Sequence, residues 1–172
     1  DTFVQDRRRK YYNGEAVEAF PMPNATTDGD SIVHFRRADV IVAGDIFTTT
    51  EYPHIDTKNG GSVQGEINAL NFILDRTVYV HDEDGGTMII PGHGRVTDEW
   101  EVAEYRDMMV IIRDRVQAMI KAGATLEQTL AARPTFDYDV RYGATSGPWT
   151  TNMFVEAVYT SLKNPPKTEN AR

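Results

Sequence analysis

Four consecutive residues, Val40-Ile41-Val42-Ala43, are apolar at every position and end abruptly at Gly44-Asp45. A strand with one wet face alternates apolar and polar side chains, so an unbroken apolar run suits a strand covered on both faces. Covering both faces demands layers, and layers demand a sizeable core. The chain of 172 residues is long enough to bury one, and 40% hydrophobic with 26% charged residues is the composition of a globular domain.

The neighbouring pattern fills in those layers. Tyr11-Tyr12 and Ala16-Val17 flank Asn13-Gly14, a pair suited to a two-residue hairpin because both positions tolerate positive φ. A polar loop over 24–30 precedes a second strand pair, 32–35 and 40–43, joined by Arg36-Arg37-Ala38-Asp39. Ile67, Leu70, Ile73 and Leu74 recur at helical spacing and predict a helix from about Ser62. An acidic turn, Asp82-Glu83-Asp84-Gly85-Gly86, leads to the short strand Met88-Ile89-Ile90, expected to stop at Pro91-Gly92-His93-Gly94. Asp98 with Glu101 opens the longest helical stripe, which Gly123 closes. Thr125 with Gln128 marks a short helix ending before Pro134, and a last helix covers about 152–162. Strands first and helices later read as an α/β (α+β layered) fold: one domain over 1–162, with a polar tail over 163–172.

Composition narrows the function classes. A net charge of −8 speaks against nucleic acid and an anionic membrane as partners, and Arg7-Arg8-Arg9-Lys10 is too short and isolated to reverse that. No apolar run approaches the roughly 18 residues that span a bilayer. Without cysteine there is no disulfide, thiolate metal site or Cys nucleophile, and the compartment stays open. The chain begins at Asp1, which reads as a processed product or a fragment.

Chemistry is expected at two strand ends. Asp45 and His93 each follow an apolar strand with glycine beside them, and buried strands deliver such residues to a common rim. A carboxylate and an imidazole are also ligands for Zn²⁺ or another divalent metal. Taken alone, the same two residues are more often a cap and a turn than a metal site. His34, within a strand, reads as a satisfied sheet residue, and His81, ahead of the acidic turn, as a solvated one.

Gly44-Asp45, Tyr52-Pro53-His54-Ile55-Asp56 with Gly60-Gly61-Ser62 after it, and Pro91-Gly92-His93-Gly94 follow one another in the order and spacing of the metallo-β-lactamase superfamily, as does Thr27-Asp28-Gly29-Asp30 upstream. Over nearly its whole length the chain resembles the C-terminal portion of that family. The resemblance implies an N-terminally truncated αββα sandwich, two mixed sheets flanked by helices with metals at one edge between them. By the same resemblance Asp45 corresponds to the aspartate that bridges two metal ions, and His93 to the last histidine ligand of the second. The departures are as informative. The leading His-x-His-x-Asp-His signature is absent, and Thr26 stands where the family carries a histidine ligand. Asp45 and His93 are what remains of the set, and His54, in the loop after Asp45, is the candidate third ligand.

Two readings follow. In the first, the chain belongs to a hydrolase in which zinc or another divalent metal lowers the pKa of bound water, and the hydroxide attacks an ester, lactone, amide or thioester of a small-molecule substrate. The missing ligands then come from an N-terminal segment or a second copy. In the second, the chain is a catalytically deficient half-domain serving as a binding or assembly module. Both expect an exposed apolar sheet face, and hence a homodimer or a complementing N-terminal segment.

Overall fold

The computed structural model of the chain describes residues 7–78 and 86–166, so His81, most of the acidic turn and the end of the tail lie outside the described residues. Asn13 and Gly14 take φ values of 50° and 80°, the two positive values a type I′ turn needs. They fold β1 (Arg8–Tyr12) antiparallel onto β2 (Glu15–Pro21). Two more strands, β3 (Ser31–Phe35) and β4 (Val40–Thr48), continue the antiparallel meander, and β5 (Met88–His93) joins β4 in parallel, giving the order β1-β2-β3-β4-β5.

The crossover between β4 and β5 carries α1 (Val63–Leu74), whose N-cap Ser62 accepts a hydrogen bond from Gly65 N. Asp98 caps α2 (Glu99–Lys121), and Thr125 with Gln128 forms a full capping box on α3 (Leu126–Ala132). The chain closes with the single turn α4 (Asp139–Tyr142) and with α5 (Thr151–Lys163). No helix among the described residues is long and apolar enough to cross a membrane.

Two strands outrun their expected stops. β4 continues through Gly44, whose φ of 58° sits at a register shift against β5 and lets the ladder resume as far as Thr48. β5 continues through Pro91 to His93. Proline is tolerated there because β5 is the edge strand and needs no donor on its open side. The turn α4 and a 3₁₀ turn at Thr57–Asn59 are too short to carry a periodic signal.

The register sorts the sheet into two faces. Phe20, Ile32, Ile41 and Ile89 share one face and are buried beneath the helices. Phe20 meets Phe72 of α1 edge-on at 4.9 Å, Phe47 meets Tyr105 of α2 at 5.3 Å, and Tyr52 stacks on Phe154 of α5 at 4.5 Å. The opposite face carries Val17, Val33, Phe35, Val42 and Ile90, paired strand to strand and only partly buried, with Met88 50% and Ile90 36% exposed. The run Val40-Ile41-Val42-Ala43 is therefore covered by helices on one face only, because among the described residues nothing packs as a second layer on the other.

An apolar sheet face of this extent is expected to be covered in solution. Its rows of mostly β-branched side chains suit the same face of a second copy, sheet on sheet at about 10 Å. Sedimentation velocity at micromolar concentration should show dimers or larger species. The pair Val42→Glu and Ile90→Glu, both off the helix-covered core, should return a compact monomer. A parent chain that sediments only as a compact monomer contradicts this.

Candidate functional site

The parallel pairing of β4 and β5 carries Asp45 and His93 to the same end of the sheet. Gly44 is opposite Pro91 and Thr48 opposite His93, and between these pairs the Asp45 side chain crosses over Gly92. A Cβ on Gly92 would stand 2.6 Å from Asp45 Oδ1 and 2.7 Å from Gly44 O, so only glycine lets the carboxylate lie there. Asp45 Oδ1 is 3.7 Å from His93 Nε2, and the two side chains are 68% and 65% exposed. At that separation they are neighbours at a rim rather than a hydrogen-bonded pair. The backbone behind them is tied by Thr49 N donating to His93 O at 3.2 Å and Arg95 N donating to Thr49 Oγ1 at 3.3 Å.

The structure places His54 in a different neighbourhood. Its Nε2 is 3.3 Å from Glu51 Oε2, and its ring lies 4.8 Å from that of Trp149. These two contacts hold it over a groove of about 650 Å³ between the 54–58 segment and α5. His34 Nε2 lies 3.9 Å from Asp39 without a hydrogen-bond partner, so this sheet histidine is not satisfied, and burial holds its pKa down.

Beside the rim, loop 24–30 is closed on itself. Asp30 Oδ2 accepts from Thr26 Oγ1 at 2.7 Å and from Thr27 N at 2.6 Å. Thr26 is 3% exposed and spends its hydroxyl on that bond, so position 26 offers no ligand to the rim. The loop is zipped to 56–62 by Asp56 N donating to Thr26 O and by Ser62 N and Oγ donating to Asn24 O. Ser62, with that bond and the cap on Gly65 N, is buried with its hydroxyl committed on both sides.

One residue of this region escaped the sequence reading. Glu66 falls on the buried stripe of α1 with Val63, Ile67 and Leu70, and it is 0% exposed. Neither of its carboxyl oxygens has a hydrogen-bond partner. Burial pushes its pKa well above the ordinary 4.5, and the nearby charges of Asp30 and Asp45 push in the same direction. The signal was available: an acidic residue at a stripe position, three after Val63 and four before Leu70.

In chemistry, an exposed carboxylate beside an imidazole fits a divalent cation. In number, it does not fit a two-metal centre, since no three His, Asp or Glu among the described residues stand together at metal-holding spacing.

The architecture is that of the metallo-β-lactamase fold. The chain superposes on the stereoselective inverting sec-alkylsulfatase Pisa1 from Pseudomonas sp. with a TM-score of 0.64 at 14% identity, covering 92% of this chain and 26% of that one. It superposes on a metallo-β-lactamase family protein from Thermus thermophilus with a TM-score of 0.61 at 14% identity, covering 93% of this chain and 47% of that one. The chain thus spans about a quarter of the first and under half of the second. No protein-family model matches the sequence, and no curated relative matches it.

Proposed function

We propose that the chain is the Asp45–His93 portion of a metallo-β-lactamase-fold hydrolase acting on an ester, lactone, amide or thioester. The observation that supports this reading is the rim itself: two side chains of ligand chemistry, 3.7 Å apart and open to solvent, at the C-terminal ends of adjacent parallel strands. Asp45 holds negative charge at the rim. His93 adds a neutral-imidazole nitrogen of metal-ligand chemistry beside it. A divalent cation, when bound, lowers the pKa of water and polarises a carbonyl. The pair is open to solvent, and Gly92, lacking a Cβ, lets the Asp45 carboxylate lie across it.

The assay should cover a carboxylic ester, a lactone, an amide, a thioester and, given the alkylsulfatase among the similar structures, a secondary alkyl sulfate. Asp45→Ala is expected to lower turnover at least 100-fold, and exhaustive chelation to do the same. Hydrolysis that survives both sinks this reading.

The second reading, a half-domain that binds or assembles without hydrolysis, is favoured by Thr26, whose hydroxyl closes the loop onto Asp30 where the resembled family has a ligand. It expects no stoichiometric zinc by elemental analysis. About one tightly held metal per chain counts heavily against it.

A further inference from the structure

Arginines gather at the end of the sheet away from the rim. Arg9 is the register partner of Glu18, Glu18 of His34, and His34 of Ile41 at the start of β4, whereas Asp45 lies further along that strand. Because β2 runs between β1 and β3, guanidiniums reach Glu18 from both sides. Arg9 donates to its Oε1 through Nε at 2.6 Å and stands 2.5 Å from it through Nη2, and Arg7 Nη1 donates to the same oxygen at 3.3 Å. From the end of β3, Arg36 holds its Nε 3.9 Å from Glu18 Oε2, an ion pair too long for a hydrogen bond. Its backbone is fixed there by Arg36 N donating to Ala16 O at 3.2 Å. A fourth guanidinium, that of Arg76, lies 5.0 Å over the ring of Phe20, two residues along β2 from Glu18.

This is more positive charge than one buried carboxylate needs. Arg9 alone matches Glu18, while Arg7 and Arg36 are more than half exposed. Among the described residues, the side chains of Arg7 and Arg36 make no other ion pair or hydrogen bond. Two further carboxylates of this region are spent elsewhere, Glu15 on the amides of Arg37 and Ala38 and Asp39 on the Thr87 hydroxyl. Like charges held around one acceptor repel each other, and a second anion relieves that repulsion.

We propose that Arg7, Arg9 and Arg36 form a binding site for a small, doubly charged oxyanion of the phosphate class. Glu18 is the buried strut that sets the spacing of the three guanidiniums. The site is separate from the rim and independent of the function read there. Planar N–H forks converging from two sides match the oxygens of a tetrahedral anion. The net charge of −8 favours a small ligand over a nucleic acid or a membrane. Charges beyond about 8 Å are screened at physiological ionic strength. A small anion therefore meets the arginines alone, whereas an extended polyanion also meets the acidic remainder of the surface.

The test is calorimetric titration with inorganic phosphate, at an ionic strength held constant with sodium chloride. Arg7→Gln and Arg36→Gln remove one guanidinium each. Lys10→Gln makes the same charge change on the opposite face of β1, where Lys10 pairs with Val17. Far-UV circular dichroism checks that each variant is folded. The expected result is one phosphate per chain, with Kd raised at least tenfold by Arg7→Gln and by Arg36→Gln and less than twofold by Lys10→Gln. A parent chain without saturable binding overturns the proposal, as does binding that both arginine variants leave intact. Equal weakening by all three variants is an effect of net charge and overturns it too. Phosphatidylserine vesicles form the second arm: a chain that sediments with them but ignores free phosphate has a membrane contact here instead of this site.

Discussion

Gly65→Ala is expected to be the most damaging alanine substitution among the described glycines. The new Cβ would lie 1.7 Å from Asn24 O and 2.3 Å from Asn24 C, both backbone atoms. No side-chain rotation relieves such a contact, so either α1 or loop 24–26 must move. Asn24 O already accepts from Ser62 N and Ser62 Oγ, and Ser62 caps α1, so the displacement would break the cap together with the loop. Overpacking against mobile side chains costs about 1–3 kcal/mol. A clash between two backbones belongs at or beyond the top of that range, a fall in Tm of roughly 10 °C for a domain of this size. Gly123→Ala supplies the comparison, since Gly123 has a φ of 84° and nothing within 4 Å of a new Cβ. It suffers backbone strain alone, about 1 kcal/mol. Thermal denaturation of the two variants beside the parent decides the matter, and equal losses would refute the close docking of α1.

That docking explains which parts of the molecule were legible in the sequence. Local chemistry reads out directly. Asn13-Gly14 dictates its turn, Ser62, Asp98 and Thr125 dictate helix starts, and the apolar runs ahead of Asp45 and His93 mark the two strands that carry them. Contacts between distant segments do not read out. Gly65 looks like an ordinary weak point in a helix until Asn24, far away in the chain, is placed against it. Glu66 does not stand out because neighbouring Ile67, Leu70 and Ile73 are enough to define a stripe, and nothing local says whether a carboxyl on that stripe reaches water. His54 shows the converse. Its place after Asp45 in the sequence suggested the rim, but the intervening segment carries it to Glu51 and Trp149. The strand Val40-Ile41-Val42-Ala43 was legible as apolar on both sides. Which side meets helices and which lies open is a property of the whole sheet.

Glu66→Gln is expected to stabilise the chain by an amount that grows with pH. The folded-state pKa of Glu66 is raised above the ordinary 4.5, chiefly by burial and then by Asp30 and Asp45. A raised pKa means that the folded chain holds a proton the unfolded chain has released. The contribution of this group is therefore fully present below about pH 4.5 and is lost as the pH rises toward the folded value. Within that window the parent should lose up to about 1.4 kcal/mol per pH unit from this one group. Glu18 works in the opposite sense. Although its burial pushes upward, the hydrogen bond and charge of Arg9 together with the charges of Arg7 and Arg36 outweigh it and hold the pKa below 4.5, so its contribution is lost as the pH falls through that lowered value. The two effects mix in the parent's own pH profile, but Glu18 is common to parent and variant, and their difference isolates Glu66. Urea denaturation between pH 4 and 8, with chelator present to remove any bound ion, should give curves that converge near pH 4.5 and separate above it. Curves that stay parallel across the range would show that Glu66 reaches solvent or a partner in the folded chain. Glu66→Leu should gain further, because the Glu66 carboxyl makes no hydrogen bond here and leucine, unlike glutamine, buries no polar group in its place.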